Sequence, residues 1–132
     1  MGTPLDLAQG RRETGTPVRG PVVQMKKITI RDHVRFQPDK MAKVALGATE
    51  RALLDLYCVA PGQTQKPHSH GDQDKIYVVL EGEGRVSVGG AEETLGPGEA
   101  MIAPAGVEHG LVNDGPAPLL VLVVVTPPPP HH

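Results

Sequence analysis

Short apolar segments, cut at close intervals by Gly, Pro, Asn and Asp, run along this chain from residue 26 to residue 125. That pattern predicts β-strands at 26–30, 51–59, 64–70, 75–80, 84–88, 92–95, 100–102, 108–113 and 119–125. The punctuation between them is turn chemistry: Pro61-Gly62, Glu81-Gly82, Gly89-Gly90, Gly96-Pro97-Gly98 and Asn113-Asp114-Gly115-Pro116. Gly89-Gly90, set between Val86-x-Val88 and 92–95, suits a two-residue hairpin, because glycine accepts positive φ at both positions. Only 39–50 offers room for a helical turn, and Gly47 limits it. Many short strands at regular spacing make the chain all-β, a sandwich or a barrel.

The ends read differently. In residues 1–24 Gly2, Pro4, Gly10, Gly15, Pro17, Gly20 and Pro21 break any period, which predicts a flexible tail. Pro127 to Pro130 lack the N–H groups a sheet needs, so the single domain is expected over 25–126 and a second tail over 127–132. His131 and His132, at the very end of that tail, are read as a loose end rather than as ligands. A chain of 132 residues suits one domain and buries enough surface to fold without cross-links.

Charge and composition narrow the function. Thirteen basic residues against fifteen acidic ones, with no basic block, argue against a nucleic-acid surface. The only aromatics, Phe36, Tyr57 and Tyr77, make no platform for stacking bases. The longest apolar run, 119–125, is far below the ~20 residues of a membrane-spanning helix. Asp6, Arg11, Arg12 and Glu13 stand where a signal peptide would be apolar. Cys58 is the sole cysteine, so no internal disulfide is possible. A soluble, cytoplasmic protein is the expectation.

Chemistry concentrates in three histidines. His68 and His70, two apart on an expected strand, leave the same face of a sheet, and His109 follows a Pro104-x-Gly106 turn on another strand. Spacing alone leaves two readings: ligands of one metal ion, or hydrogen-bonding residues of the strands. Two longer motifs extend the pattern. The first runs Gly62, five residues, His68-Ser69-His70, four residues, Lys75, six residues, Gly82; the second runs Gly98, five residues, Pro104-Ala105-Gly106, two residues, His109, three residues, Asn113. In these motifs the chain resembles the cupin superfamily, whose first motif carries a glutamate where Lys75 stands here. The resemblance implies a double-stranded β-helix, or jelly-roll, barrel. It also implies one divalent transition metal (Fe, Zn, Ni, Mn or Cu) held by His68, His70 and His109.

Lys75 breaks the pattern, since an ammonium has no lone pair and repels a cation. Gln73 shares its parity and is the favoured fourth ligand; Asp74 is next, and water is the alternative. Three neutral imidazoles leave the charge of the metal uncompensated, which favours a small anionic ligand in its open positions. Such a donor set also resembles that of cupin dioxygenases with three histidines. Tyr77 and Lys75 are the candidate catalytic residues near the substrate, while Met101 and Cys58 read as packing. A metal-dependent oxygenase on a small anion is the leading expectation. A non-catalytic binding or sensor cupin, or a sugar or keto-acid isomerase, are the alternatives; the last lacks an acidic residue placed inward by parity. A homodimer is expected, with Ile28 and Ile30 adding a strand to the edge of a neighbour's sheet.

Overall fold

The structure is a computed structural model that describes residues 25–69 and 71–129. The expected tail at 1–24, His70, and the end of the chain from Pro130 lie outside the described residues. Among the described residues nine strands, β1 Ala42–Ala48, β2 Leu53–Val59, β3 Thr64–His68, β4 Asp74–Glu81, β5 Gly84–Val88, β6 Ala91–Leu95, β7 Ala100–Ala103, β8 His109–Val112 and β9 Leu119–Thr126, follow a short 3-10 turn at Ile30–His33. They form two antiparallel sheets, one in the order β1-β2-β9-β4-β7 and one in the order β3-β8-β5-β6. The fold is all-β, as the turn spacing predicted, and a double-stranded β-helix, as the resemblance implied. No helix among the described residues is long and apolar enough to cross a membrane.

The apolar run of β9 has its explanation in position. β9 lies between β2 and β4, pairing Leu53↔Val125 through Val59↔Leu119 on one side and Asp74↔Thr126 through Glu81↔Leu120 on the other. Its inward residues Leu119, Val121, Val123 and Val125 join Tyr57, Val59, Tyr77, Val79, Val86 and Leu111 in the core between the sheets. Leu120, facing outward, joins a second cluster with Ala42, Val44, Leu46, Leu56 and Cys58, against which Ile28, Ile30 and Val34 pack. A strand covered on both faces needs apolar residues at every position. Cys58 is fully buried in that outer cluster, consistent with packing.

Two sequence expectations are corrected here. Residues 39–50 hold no helical turn: Ala42–Ala48 form β1, paired with β2 from Ala42↔Cys58 to Ala48↔Leu53. Buried Ala42, Val44 and Leu46 do alternate, but the small Ala45, Gly47 and Ala48 beside them blur the period, and pairing with β2 decides the conformation. Conversely, 26–30 is not a strand. Ile28 and Ile30 lie on the outer cluster of their own sheet, and the Lys26 Nζ donates to the Leu46 carbonyl at 3.1 Å. The Gly89-Gly90 hairpin is as expected, with φ of 59° and 88° and Val88 paired to Ala91.

Candidate functional site

β3 and β8 bring two of the histidines face to face. The register runs Thr64↔Val112, Gln65↔Leu111, then His68↔His109, so β3 spends one residue more than β8 over this stretch. The extra residue is a β-bulge at Lys66-Pro67, where proline's missing N–H costs no ladder bond. Its consequence is parity. In an unbroken strand Gln65, which points inward, would share its face with Pro67; the bulge turns His68 inward instead. Gly110 permits the approach of β3 at this point. A Cβ there would stand 3.0 Å from the Gln65 carbonyl oxygen and 3.1 Å from Pro67 backbone atoms.

The two imidazole rings lie 4.4 Å apart between centroids, inclined by 59°. His109 is buried and His68 half-buried. Each ring presents Nδ1 to a backbone carbonyl two residues back, Lys66 for His68 and Val107 for His109, both at 3.0 Å. A carbonyl only accepts, so Nδ1 carries the proton in each ring, and in the neutral imidazole Nε2 carries the lone pair. That is the tautomer a metal-ligating histidine needs, already set by the backbone. The loop before His109 is pinned on both sides: Asp74 Oδ1 accepts from the Ala105 N–H at 2.9 Å, and Gly89 N–H donates to the Glu108 carbonyl at 2.8 Å. Asp74, the second candidate for a fourth ligand, is engaged in that fastening and points away from the histidines.

His68 and His109 open onto a cavity of about 220 Å³ between the two sheets, lined also by Lys43, Leu53, Asp55, Tyr57, Gln73, Lys75, Val125 and Pro129. Gln73 and Lys75 are both buried and share this cavity, as their parity predicted. Lys75 Nζ lies 5.3 Å from the centroid of the Tyr57 ring and 5.6 Å from that of Tyr77. Burial brings its pKa down to about 8, Lys43 pushes the same way, and Asp55 opposes them. Tyr77 stands behind the cavity wall. Its hydroxyl donates to Gln65 Oε1 at 2.8 Å, and Gln65 Nε2 donates to the Tyr57 hydroxyl at 3.3 Å. Burial raises both phenols well above their ordinary value, so both stay protonated at neutral pH. Met101 packs on the core and does not line the cavity.

Among the described residues no three His, Cys, Asp or Glu side chains cluster to hold a metal ion, and the third expected ligand, His70, lies outside them. The donors that are described nonetheless fit one: two imidazoles opposed in register, with their coordinating nitrogens set by tautomer and a buried amide beside them. Sequence reasoning missed Lys43, Asp55 and Tyr57 as lining residues. For the last two a signal was present, since a strand reading Leu-Leu-Asp-Leu-Tyr-Cys-Val places Asp55 and Tyr57 on the face opposite Leu54, Leu56 and Cys58.

Asn113, the last residue of the second motif, is wholly buried and holds the chain rather than the cavity. Its Nδ2 donates to the Val59 and Ala117 carbonyls at 2.8 and 2.9 Å, while its Oδ1 accepts from Gly115 N–H.

Two sheets facing each other across a histidine-bearing cavity make a double-stranded β-helix. Residues 55–125 match the cupin domain family, more than half of the chain, and the chain belongs to that family. In structure it is similar to TT1209 from Thermus thermophilus, at 47% identity and a TM-score of 0.78, over 80% of this chain and 100% of that one. An RmlC-like cupin protein from Desulfovibrio desulfuricans is 28% identical, with a TM-score of 0.72, over 80% of this chain and 100% of the other. The mannose-1-phosphate guanylyltransferase ManC of Salmonella typhimurium is 32% identical over 75 residues, or 57% of this chain. The chain spans 16% of the length of that relative.

Proposed function

We propose that this protein is a metal-binding cupin that takes a small anionic molecule into its histidine cavity and acts on it as a metal-dependent oxygenase. The observation that carries the metal reading is the opposed pair His68 and His109, each with its Nδ1 proton committed to a backbone carbonyl. His70 and Gln73 are the further donors in this reading. The bound ion would be a Lewis acid toward a coordinated anion. The protein's own residues supply the rest: Gln73 and Lys75 shape the polar side of the cavity, and Leu53 and Val125 give it an apolar wall. With histidines and an amide as donors, a ligand anion is what balances the charge. ManC, named for a phosphorylated sugar, aligns with this chain over 75 residues at 32% identity, which agrees with an anionic ligand.

Asp55 favours a second reading. An isomerase needs an acid/base pair, and the cavity holds a carboxylate, a protonated phenol and a lysine whose pKa is lowered to about 8. Elemental analysis of untagged protein, purified without a chelating column, tests the metal reading. Stoichiometric transition metal is expected in the wild type and less than a tenth of it in His68→Ala and His109→Ala, both still folded by circular dichroism. Full occupancy in either variant would refute the ligand assignment. Oxygen uptake with small keto acids or diketones, measured with an electrode, then separates oxygenase from isomerase.

A further inference from the structure

We infer that Lys43, Lys75 and the Tyr57 hydroxyl form an oxyanion-recognition subsite, which binds the carboxylate or phosphate group of a small ligand in the histidine cavity. The inference deepens the functional reading above, because the cavity is the same one, yet the subsite is built from residues that take no part in the metal reading. Lys43 Nζ stands 5.5 Å from the centroid of the Tyr57 ring, and Lys75 Nζ stands 5.3 Å from it. The two ammonium groups arrive from different strands. Lys43 projects from β1, directly beside Tyr57 in register, and Lys75 reaches from β4 across β9. Two like charges brought to one ring repel each other. Among the described lining residues Asp55 is the sole acid, so two lysines face one carboxylate. An anion placed between the lysines relieves that repulsion.

The phenol supplies direction. Because Tyr77 donates to Gln65 Oε1, the amide nitrogen of Gln65 is turned to Tyr57, whose oxygen is thereby an acceptor. The Tyr57 proton is left to donate, from a residue that lines the cavity and whose ring both ammonium groups approach. Lys43 is exposed and Lys75 buried, so the positive charge extends from the surface into the cavity and draws an anion inward. At about 220 Å³ the cavity is smaller than the ~300–1,000 Å³ of drug-sized sites. The ligand is therefore an acid or phosphoester of a few carbons, its body against Leu53 and Val125.

Calorimetric titration of chelator-stripped protein with malonate, inorganic phosphate and neutral malonamide tests this. Wild type should bind malonate or phosphate, and the tighter of the two identifies the head group. Malonamide should give no heat of binding. Lys43→Met, a change at an exposed position, should weaken anion binding at least fivefold, and Tyr57→Phe at least threefold. The inference is overturned if Lys43→Met binds within twofold of wild type, if malonamide binds as well as malonate, or if anions bind only after metal is restored. That last result leaves the metal reading intact. Anion binding by a protein that never takes up metal would instead uphold the subsite and remove the metal reading.

Discussion

Lys75 is the residue on which the character of this cavity turns. It stands where the motif that this chain resembles has a glutamate, and it points inward, 6% exposed, among two phenols, a buried amide and the histidine pair. Holding a cation there costs folding energy. Its pKa of about 8 in the folded protein lies below the ordinary 10.5, so the unfolded chain binds more protons between those values and stability rises with pH across that window. Below about pH 8 the cost is fully present, and above 10.5 it is gone. Lys75→Met should therefore stabilise the metal-free protein by about 1–3 kcal/mol at pH 7, and its advantage should shrink as pH rises from 8 to 10.5. Urea denaturation of both proteins across that range checks it; a difference that does not change with pH would mean that the lysine is solvated. At this scale the sequence was informative where motif spacing or strand parity applied: His68, His109, Gln73 and Lys75 all line one cavity. Lys43 was illegible because the strand that carries it was not recognised, so its face could not be assigned.

At the scale of the element, the bulge in β3 shows what strand alternation can and cannot predict. Simple alternation from His68 anticipated an inward face correctly for His68 but for an incomplete reason, since Gln65, three residues earlier, points inward too. An odd spacing between two inward residues requires an extra residue between them, and Pro67 was the local sign of it. Strand ends were read less well than strand centres: β3 stops at His68 rather than at 70, and β8 covers His109–Val112 rather than 108–113. Turns were legible because glycine pairs have few alternatives, whereas β1 depends on pairing with β2, a tertiary fact that Ala45, Gly47 and Ala48 do not announce. Gly110→Ala tests the close passage of β3 over β8. The new methyl group would press on the Gln65 and Pro67 backbone, and the domain should lose on the order of 1–3 kcal/mol in urea denaturation. Metal or anion binding should weaken with it, because His68 and His109 are paired across the same step. An unchanged midpoint would show that β3 yields freely.

For the molecule as a whole, the outer face of the larger sheet carries an exposed apolar residue at its edge. Ile28 and Ile30, expected to reach a neighbour's sheet, instead lie on the apolar cluster of their own. Ile102, on the edge strand β7, is 60% exposed, and Ile76 beside it in register is half-buried. We propose that a second copy meets this edge and covers both, giving a homodimer by a contact other than the one the sequence suggested. Light scattering at micromolar concentration should return twice the 14.0 kDa of one chain, and Ile102→Lys should return it to the single mass. A single mass for the unaltered protein would dispose of the pairing.

The placement of β9 has a further consequence, one of timing. Every other strand of the larger sheet precedes it in the chain, yet β2 and β4 are joined only through β9, which lies between them. During synthesis β1 and β2 can form one hairpin, and β4 and β7 another ribbon, but within the larger sheet these halves are not joined until residues 119–126 are made. The chain must therefore wait, its two ribbons exposed to proteases and to one another's copies in neighbouring nascent chains, and the most distant pairings in sequence are the last to close. A stop codon ahead of Leu119 would release a chain whose larger sheet is parted between β2 and β4.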